Sequence, residues 1–215
     1  MQVPATLALP AGGRDVARPP FPETKSMSGD RLERYRDKRS AGRTPEPFGG
    51  ARPAGAARLF VVQMHAARNL HWDLRLEMDG ALESWAVPKG PSPNPADKRL
   101  AMHVEPHPLE YADFEGVIPE GQYGAGPSIC WDRGVWIEVP SRPGGPPHGL
   151  EHGKLLFDLR GYKLRGRYTL VHTPRRGERH WLLIKERDAY VDERGTDTYP
   201  DDSIYSGLLV DELPD

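Results

Sequence analysis

Apolar and polar side chains alternate from residue 71 to residue 77, a pattern typical of a β-strand with one face turned toward a core. Trp72, Leu74 and Leu76 fall on one face. The other face carries only ionisable side chains, those of His71, Asp73, Arg75 and Glu77. An Asp-Gly pair at 79–80 leads into a second apolar run, so a β-hairpin is predicted here.

Short apolar runs of the same kind continue along most of the chain, separated by turns that contain Gly and Pro. The candidate strands are residues 58–65, 71–78, 82–88, 99–105, 128–134, 134–139, 153–161, 166–173 and 179–187. This spacing favours a mainly β fold, an antiparallel barrel or sandwich, with a long irregular loop at 140–149. The glycine-rich GQYGAG at 121–126 lacks the Lys-Ser/Thr and helix of a phosphate loop, so it predicts a tight turn.

The two ends of the chain lack this pattern. Residues 1–29 are rich in Pro, Gly and Ala, which predicts a disordered N-terminal segment. A short basic helix is expected next, from a cap at Asp30 to near Gly42. With 215 residues in all, the chain has room for one domain with a sizeable core. We therefore predict a single domain at 30–192 and an acidic, mobile C-terminal tail at 193–215.

The net charge of −2 conceals an uneven distribution. Residues 186–215 hold ten Asp or Glu and two Arg, a charge of −8, so the rest of the chain carries +6. A basic body permits phosphate-rich partners without requiring them. The single cysteine, Cys130, cannot form an internal disulfide, which suits a reducing cytoplasm. No apolar run approaches the roughly 18 residues of a transmembrane helix, so we expect a cytoplasmic protein without membrane contacts.

Three residues at the start of the hairpin carry metal-ligating groups. His71 and Asp73 are two apart on a strand, so their side chains point the same way, and His65 can fold back over that face. Two neutral imidazoles and one carboxylate suit Mn²⁺, Fe²⁺ or Zn²⁺ and leave coordination positions for water or substrate. A surface hydrogen bond between His71 and Asp73 explains the pair equally well, so the residues alone leave both interpretations open.

Groups suited to anion binding follow in the sequence. Arg75 continues the ionisable face and keeps its proton, which makes it a bidentate partner for phosphate or carboxylate. Lys89 and Arg99 come next, and His107 and Tyr111 offer an imidazole and a phenol as proton donor and clamp. Taken singly, Lys89 also suits exposure to solvent, and Tyr111 also suits packing.

Long motifs in this chain closely resemble a known family, the 3′-phosphoesterase domain of bacterial DNA ligase D. The motifs are FVVQMHAARNLHWDLRLEMDGALESWAVPKGPS, RLAMHVEPHPLEYADFEGVIPEGQYGAG and WLLIKERDAY, with LERYRDKRSAGRTPEP before them. The resemblance covers about residues 30–192 and implies a single-domain antiparallel β-barrel with a short N-terminal helix and long loops. Because polymerase and ligase portions are absent from the sequence, the chain looks like the stand-alone form of the module.

The resemblance also implies an activity and its substrates. Family members use Mn²⁺, or another divalent transition metal, to process DNA 3′ ends at primer–template junctions. They remove a terminal ribonucleoside and then the 3′-phosphate, leaving a 3′-hydroxyl for repair. DNA or RNA–DNA 3′ ends are therefore the expected partners, together with a DNA ligase and other end-joining proteins.

Carried over by position, the family's roles fall on eleven residues of this chain. The metal ligands are His65, His71 and Asp73. The catalytic residues are His107, Tyr111, Arg75, Arg39 and Glu46, and the substrate phosphate contacts Arg75, Lys89, Arg99 and Gln63. The chain has Ser40 where an Asp commonly follows the first arginine, so the phosphomonoesterase assignment is better supported than ribonucleotide removal.

Two other functions fit parts of the sequence. A non-haem Fe(II) oxygenase would use His71, Asp73 and a distant His107 as a facial triad, with His65 remote from the metal. A non-catalytic module that binds DNA ends would need only the basic body, and its binding would survive the loss of His71.

Overall fold

Nine β-strands and one short α-helix make up the regular structure of residues 31–39, 43–47, 58–145 and 147–214, the part of the chain described by a computed structural model. The helix α1 is Glu33–Asp37. The strands are β1 (Leu59–Ala66), β2 (Leu70–Met78), β3 (Ala81–Val87), β4 (Lys98–His107), β5 (Gly116–Ile118), β6 (Gly126–Glu138), β7 (Lys154–Gly161), β8 (Arg165–His172) and β9 (His180–Lys185). Short 3₁₀ turns lie at Leu109–Asp113, Leu150–His152, Pro174–Arg176, Gly195–Thr198 and Val210–Glu212.

The strands close into an antiparallel β-barrel, which confirms the predicted fold class. Neighbouring strands follow the order β1-β2-β3-β4-β9-β8-β7-β6, and β6 pairs with β1 to complete a ring of eight. Among the described strands, the ninth, β5, pairs with the start of β6 alone. Closure by pairing removes the free sheet edges that would otherwise invite association with other chains.

Strand β6 is continuous where the sequence predicts two strands that meet at Gly134. Its first half pairs with β1 and its second half with β7, so the strand must bend as it passes from one partner to the other. A Cβ atom at Gly134 would lie 2.1 Å from the carbonyl oxygen of Arg160. Glycine is required at the bend because the two backbones approach too closely for any side chain.

The predicted alternation of β2 is confirmed, and it divides the molecule into an interior and a covered outer face. Trp72, Leu74 and Leu76 lie in the barrel core. The hairpin turn is also confirmed, since Asp79 and Gly80 have positive φ angles of 48° and 79°, as a type I′ turn requires. Part of the outer face lies beneath a second apolar cluster formed by Tyr35, Val61, Leu82, Leu109, Tyr111, Ala112, Phe114, Ile118 and Cys130. The ionisable face of β2 therefore lies largely out of contact with solvent.

The N-terminal segment (residues 31–39 and 43–47) belongs to this covering layer. Helix α1 is shorter than the predicted Asp30–Gly42 helix. The side chain of Tyr35, within α1, is fully buried. Asp30 and the predicted disordered segment 1–29 lie outside the described residues. Among the residues that the structure describes, no helix is long and apolar enough to cross a membrane.

The prediction of a mobile tail after residue 192 is wrong, because this segment packs on the barrel. Val210 is 8% exposed and joins the barrel core, while Tyr199 packs against the core and its ring lies 5.7 Å from that of Trp131. The indole nitrogen of Trp131 donates to the carbonyl of Pro200, and the backbone N–H of Ile204 donates to the carbonyl of Cys130. These anchors are isolated apolar residues in an acidic sequence, so they produce no periodic signal.

Candidate active site

The three predicted metal ligands meet on the outer face of β1 and β2. His65 and His71 are direct cross-strand partners, and Asp73 is two residues farther along β2. One ligand atom from each residue lies within 4.8 Å of the others. The three residues are buried or half-buried, and the two imidazole rings are 4.9 Å apart. The structure thus brings together the residues that the sequence places on one strand face.

Backbone carbonyls fix the tautomers of both imidazoles. His65 donates from Nε2 to the carbonyl of Gly124 over 2.8 Å, and His71 donates from Nδ1 to the carbonyl of Asn69 over 2.9 Å. Because a carbonyl can only accept, the remaining nitrogen of each neutral ring carries a lone pair. Those nitrogens, Nδ1 of His65 and Nε2 of His71, lie 3.9 and 3.7 Å from the Asp73 carboxylate. In metal sites, a hydrogen bond from one ring nitrogen to a backbone carbonyl commonly orients the other nitrogen toward the metal ion.

The Asp73 carboxylate is held in its charged form. Burial opposes ionisation, but the Arg75 guanidinium holds the pKa of Asp73 well below its usual range. Arg75 donates from its second terminal nitrogen to Asp73 Oδ2 over 3.0 Å. The site therefore presents a carboxylate and two imidazole lone pairs, which suits a divalent transition metal.

Arg75 is the buried cation next to this cluster, with a side chain only 3% exposed. It also donates to Gln63 Oε1 over 2.8 Å and to Ser84 Oγ over 2.9 Å. Gln63 in turn donates to the carbonyls of Tyr111 and Phe114, so it positions the arginine from behind. The guanidinium has five N–H donors and uses three in these contacts, which leaves donors for an anion.

His107 lies at the end of β4 as a neutral imidazole. Burial, together with the positive charges of Arg75 and Arg39, holds its pKa well below the usual value. Its Nδ1 donates to the carbonyl of Glu105 over 2.9 Å, and its Nε2 accepts from Arg39 over 3.3 Å. The ring is therefore an acceptor at Nε2.

The residues Arg39, Glu46 and Tyr111 form one buried network beside His107. Glu46 Oε1 accepts from Arg39 Nε over 2.7 Å and from the Tyr111 hydroxyl over 3.1 Å. Burial is the largest cause that raises the pKa of Tyr111 well above its usual value, so the phenol keeps its proton. Thr44 donates to the second oxygen of Glu46 over 2.9 Å, which completes the partners of that carboxylate. The N-terminal segment thus supplies two of the predicted site residues.

A cavity of about 1070 Å³ opens over this arrangement. The predicted site residues that line it are Arg39, His65, His71, Asp73, Arg75, His107 and Tyr111. Arg68, Glu105 and Tyr123 also line it and were missed by the sequence analysis. Glu105 pairs with Lys38 over 2.9 Å, and Tyr123 lies in the predicted tight turn of the GQYGAG loop, whose Gly124 holds His65. Alternation along β4, which places Glu105 on the face of His107, is the one signal that could have identified Glu105.

Lys89 and Arg99 are not brought to the cavity lining. Arg99 donates from one terminal nitrogen to Asp97 over 2.9 Å and to Thr196 over 3.0 Å. Lys89 is exposed, and its carbonyl accepts from the same Thr196 hydroxyl over 3.5 Å. Both residues therefore lie beside the C-terminal segment, and their predicted phosphate contacts stay a prediction.

Comparisons with known proteins agree with the geometry. Residues 63–172 match the family described as the DNA ligase D 3′-phosphoesterase domain. The multifunctional non-homologous end joining protein LigD of Pseudomonas aeruginosa is 51% identical over 160 residues, which are 73% of this chain and 19% of that protein. The LigD proteins of Mycobacterium tuberculosis and Mycolicibacterium smegmatis are 48% and 43% identical, over 76% and 74% of this chain and 21% of each relative.

This chain spans about a fifth of the length of the curated relatives it matches. The residues matched by the family, 63–172, include His65, His71 and Asp73. The match confirms the resemblance predicted from the sequence motifs. The chain belongs to the DNA ligase D 3′-phosphoesterase domain family.

Proposed function

We propose that this protein is a metal-dependent phosphoesterase that processes the 3′ ends of DNA. It removes a 3′-phosphate and, before it, a terminal ribonucleoside, and so leaves a 3′-hydroxyl for repair in the cytoplasm. The observation that carries the proposal is the juxtaposition of His65, His71 and Asp73, with ligand atoms within 4.8 Å, and the buried Arg75 on the same strand face. A metal next to a fixed cation is the arrangement that phosphoryl transfer uses.

The metal would be held by His65, His71 and Asp73, and we propose Mn²⁺ as the ion used. Two nitrogens and one carboxylate oxygen suit Mn²⁺ and leave positions for water and a phosphate oxygen. When bound, such an ion polarises a phosphoryl oxygen and orients or ionises a water molecule. The carbonyl contacts of both histidines support this role because they leave lone pairs directed at the Asp73 side.

The residues around the metal cluster would bind the phosphate and move the proton. Arg75 has N–H donors left for two phosphate oxygens, and its fixed position avoids the reorganisation that water would need. Tyr111 keeps its proton and lines the cavity, so it is suited to protonate the leaving oxygen. Arg39 would neutralise charge on the transferring group, and Glu46 would orient both Arg39 and Tyr111.

The ribonucleoside step would depend on the N-terminal segment, which carries Arg39 and Glu46. Ser40, at the position where family members commonly have Asp, lies outside the described residues. We therefore expect the phosphomonoesterase step to be the stronger of the two activities. The substrate would be a primer–template junction, and the relatives named for non-homologous end joining suggest a DNA ligase and end-joining proteins as partners.

The test is an incubation of the protein with Mn²⁺ and primer–templates that end in a 3′-phosphate or a single 3′ ribonucleotide. Phosphate release should require the metal, stop on chelation and be lost in His71→Ala. His152→Ala is the matched control, because His152 is exposed and does not line the cavity. Absence of release from both substrates with several divalent metals would overturn the proposal.

The two other functions make different predictions. The oxygenase requires His107 as a ligand and His65 remote, whereas the ligand cluster among the described residues contains His65, and His107 contacts Arg39 instead. For the DNA-end-binding module, DNA affinity would persist in His71→Ala and the wild-type protein would release no phosphate. The same incubation, with an affinity measurement beside it, separates the module from the enzyme.

A further inference from the structure

A second cleft, of about 780 Å³, lies where the β7–β8 hairpin meets the chain that follows β9. It takes no part in the metal cluster or its cavity. Its charged and aromatic lining residues are Asp158, Arg160, Arg165, Arg167, Arg187, Asp188 and Tyr190. Arginines therefore outnumber carboxylates along this cleft.

The outer face of the hairpin carries two cross-strand pairs of opposite character. Asp158 faces Arg167, and the two side chains form a double hydrogen bond of 2.9 and 3.1 Å. Two residues nearer the turn on each strand, Arg160 faces Arg165 directly. Like charges placed directly opposite each other on a sheet are destabilising, and an anion bound between them would remove the repulsion.

Three of the four arginines of this cleft, all except Arg167, have no carboxylate partner in the described part of the chain. Arg165 donates from Nε to the carbonyl of Gly161, and no ion pair of the described residues includes Arg160, Arg165 or Arg187. The acidic residues nearby are already engaged. Asp158 pairs with Arg167, and Asp188 pairs with Lys185 over 2.6 Å.

Exposed aromatic rings accompany these cations. Tyr190 lines the cleft and is 53% exposed, and Tyr162, in the hairpin turn, is 74% exposed. Cations that follow a groove together with exposed aromatic rings are the usual means of binding single-stranded nucleic acid, since phosphates contact the cations and bases stack on the rings. An acidic peptide would use the arginines but not the tyrosines.

We propose that this cleft binds the backbone of single-stranded DNA, the unpaired template strand of the substrate. In the ring of eight strands β8 stands opposite β2, so the cleft faces away from the catalytic cavity and cannot hold the reacting phosphate. The distance from β2 to β8 around the barrel wall is four strand spacings, about 19 Å. A single-stranded overhang of about ten nucleotides is long enough to span this distance, even with stacked bases about 3.4 Å apart. The inference rests on the proposed function only for the identity of the strand.

The first test measures the affinity for fluorescent single-stranded DNA by anisotropy at several salt concentrations. The triple variant Arg160→Ala/Arg165→Ala/Arg187→Ala should bind more weakly than wild type. The slope of log affinity against log salt concentration should also be less steep by about 2, because each of the three lost phosphate contacts contributes about 0.7 to the slope. The control is Arg175→Ala/Arg176→Ala, which removes exposed arginines beyond the other end of β8 and should bind like wild type. Equal binding by the triple variant and wild type would overturn the proposal, as would competition by an acidic peptide as strong as that by DNA of equal charge.

The second test uses catalysis to locate the bound strand. The KM for a 3′-phosphorylated primer–template with a long 5′ overhang should rise in the triple variant, while the KM for the blunt duplex should stay unchanged. Equal effects on both substrates would overturn the template-strand assignment. Failure of the proposed function is distinguishable because wild type would then release no phosphate, whereas the affinity measurement needs no catalysis. Thermal unfolding shows that the variant is folded, since loss of the Arg160–Arg165 repulsion should leave its stability equal or higher.

Discussion

His107 shows how one buried residue links the catalytic site to the stability of the fold. The imidazole is 4% exposed, and burial with two nearby arginines holds its pKa well below the usual value. In the unfolded chain the same ring has an ordinary pKa of about 6.5. As the pH falls below this value, the unfolded state therefore binds a proton that the folded state does not, and the free energy of unfolding decreases.

We predict that His107→Asn changes the pH dependence of stability in a defined direction. Below about pH 6.5, the free energy of unfolding of wild type should fall faster than that of the variant, by up to about 1.4 kcal/mol per pH unit. Asn keeps a donor for the Glu105 carbonyl that His107 now contacts. Denaturant unfolding between pH 7 and 5, with chelator present, measures the shift, and a constant difference over that range would contradict the prediction.

At the scale of strands, alternation in the sequence was sufficient to predict most of the strands, but not their order in the barrel. Each strand of the β2–β3 hairpin has one apolar face and a recognisable turn, so both register and orientation follow from the residues. The same alternation placed His71, Asp73 and Arg75 on one face. His65 could be added because hairpin pairing brings it opposite His71.

Other elements depend on contacts that are distant in the sequence, and the residues alone did not predict them. Strand β5 has only three residues and exists because β6 offers it a partner. The position of Arg39 over the cavity depends on Tyr35, whose burial against the barrel has no periodic signature in a charged helix. The placement of Lys89 and Arg99 away from the lining depends on Thr196, which lies 107 and 97 residues later in the chain.

The N-terminal segment provides the prediction at this scale. Arg31 anchors it to the barrel by donating to Glu83 over 2.6 Å and to the carbonyl of Met78 over 2.7 Å. Arg31→Ala should lower the free energy of unfolding by roughly 1–3 kcal/mol, because the buried Glu83 loses a charged partner. We also expect kcat/KM for the 3′-ribonucleotide substrate to fall several-fold, since the segment carries Arg39, with a smaller change for the 3′-phosphate substrate.

Arg34→Ala is the control for this prediction because Arg34 lies three residues away in helix α1 of the same segment, carries the same charge and is exposed. Steady-state rates on both substrates and denaturant unfolding of both variants give the comparison. Equal losses on the two substrates, or the same loss in Arg34→Ala, would show that the segment does not act on the ribonucleoside step through this anchor.

At the scale of the whole molecule, the C-terminal segment is part of the barrel's support and not a separate acidic tail. Its residues reach the loop before β4, where the carbonyl of Glu193 accepts from the Asn94 side chain over 2.9 Å, and then the core at Val210. Lys163 in the β7–β8 turn donates to the carbonyls of Pro200 and Asp202. A segment held at both ends in this way cannot leave to compete with DNA for a basic surface without loss of core contacts.

We therefore predict that the core contact at Val210 contributes to global stability. Val210→Ala should lower the free energy of unfolding by about 1–2 kcal/mol, because it removes methyl groups from the barrel core. Leu209→Ala is the neighbouring control, since Leu209 is 42% exposed and should change stability by less than about 0.5 kcal/mol. DNA affinity should be unchanged in both variants. A mobile tail would give equal, negligible effects on unfolding for the two positions, whereas a packed segment separates them.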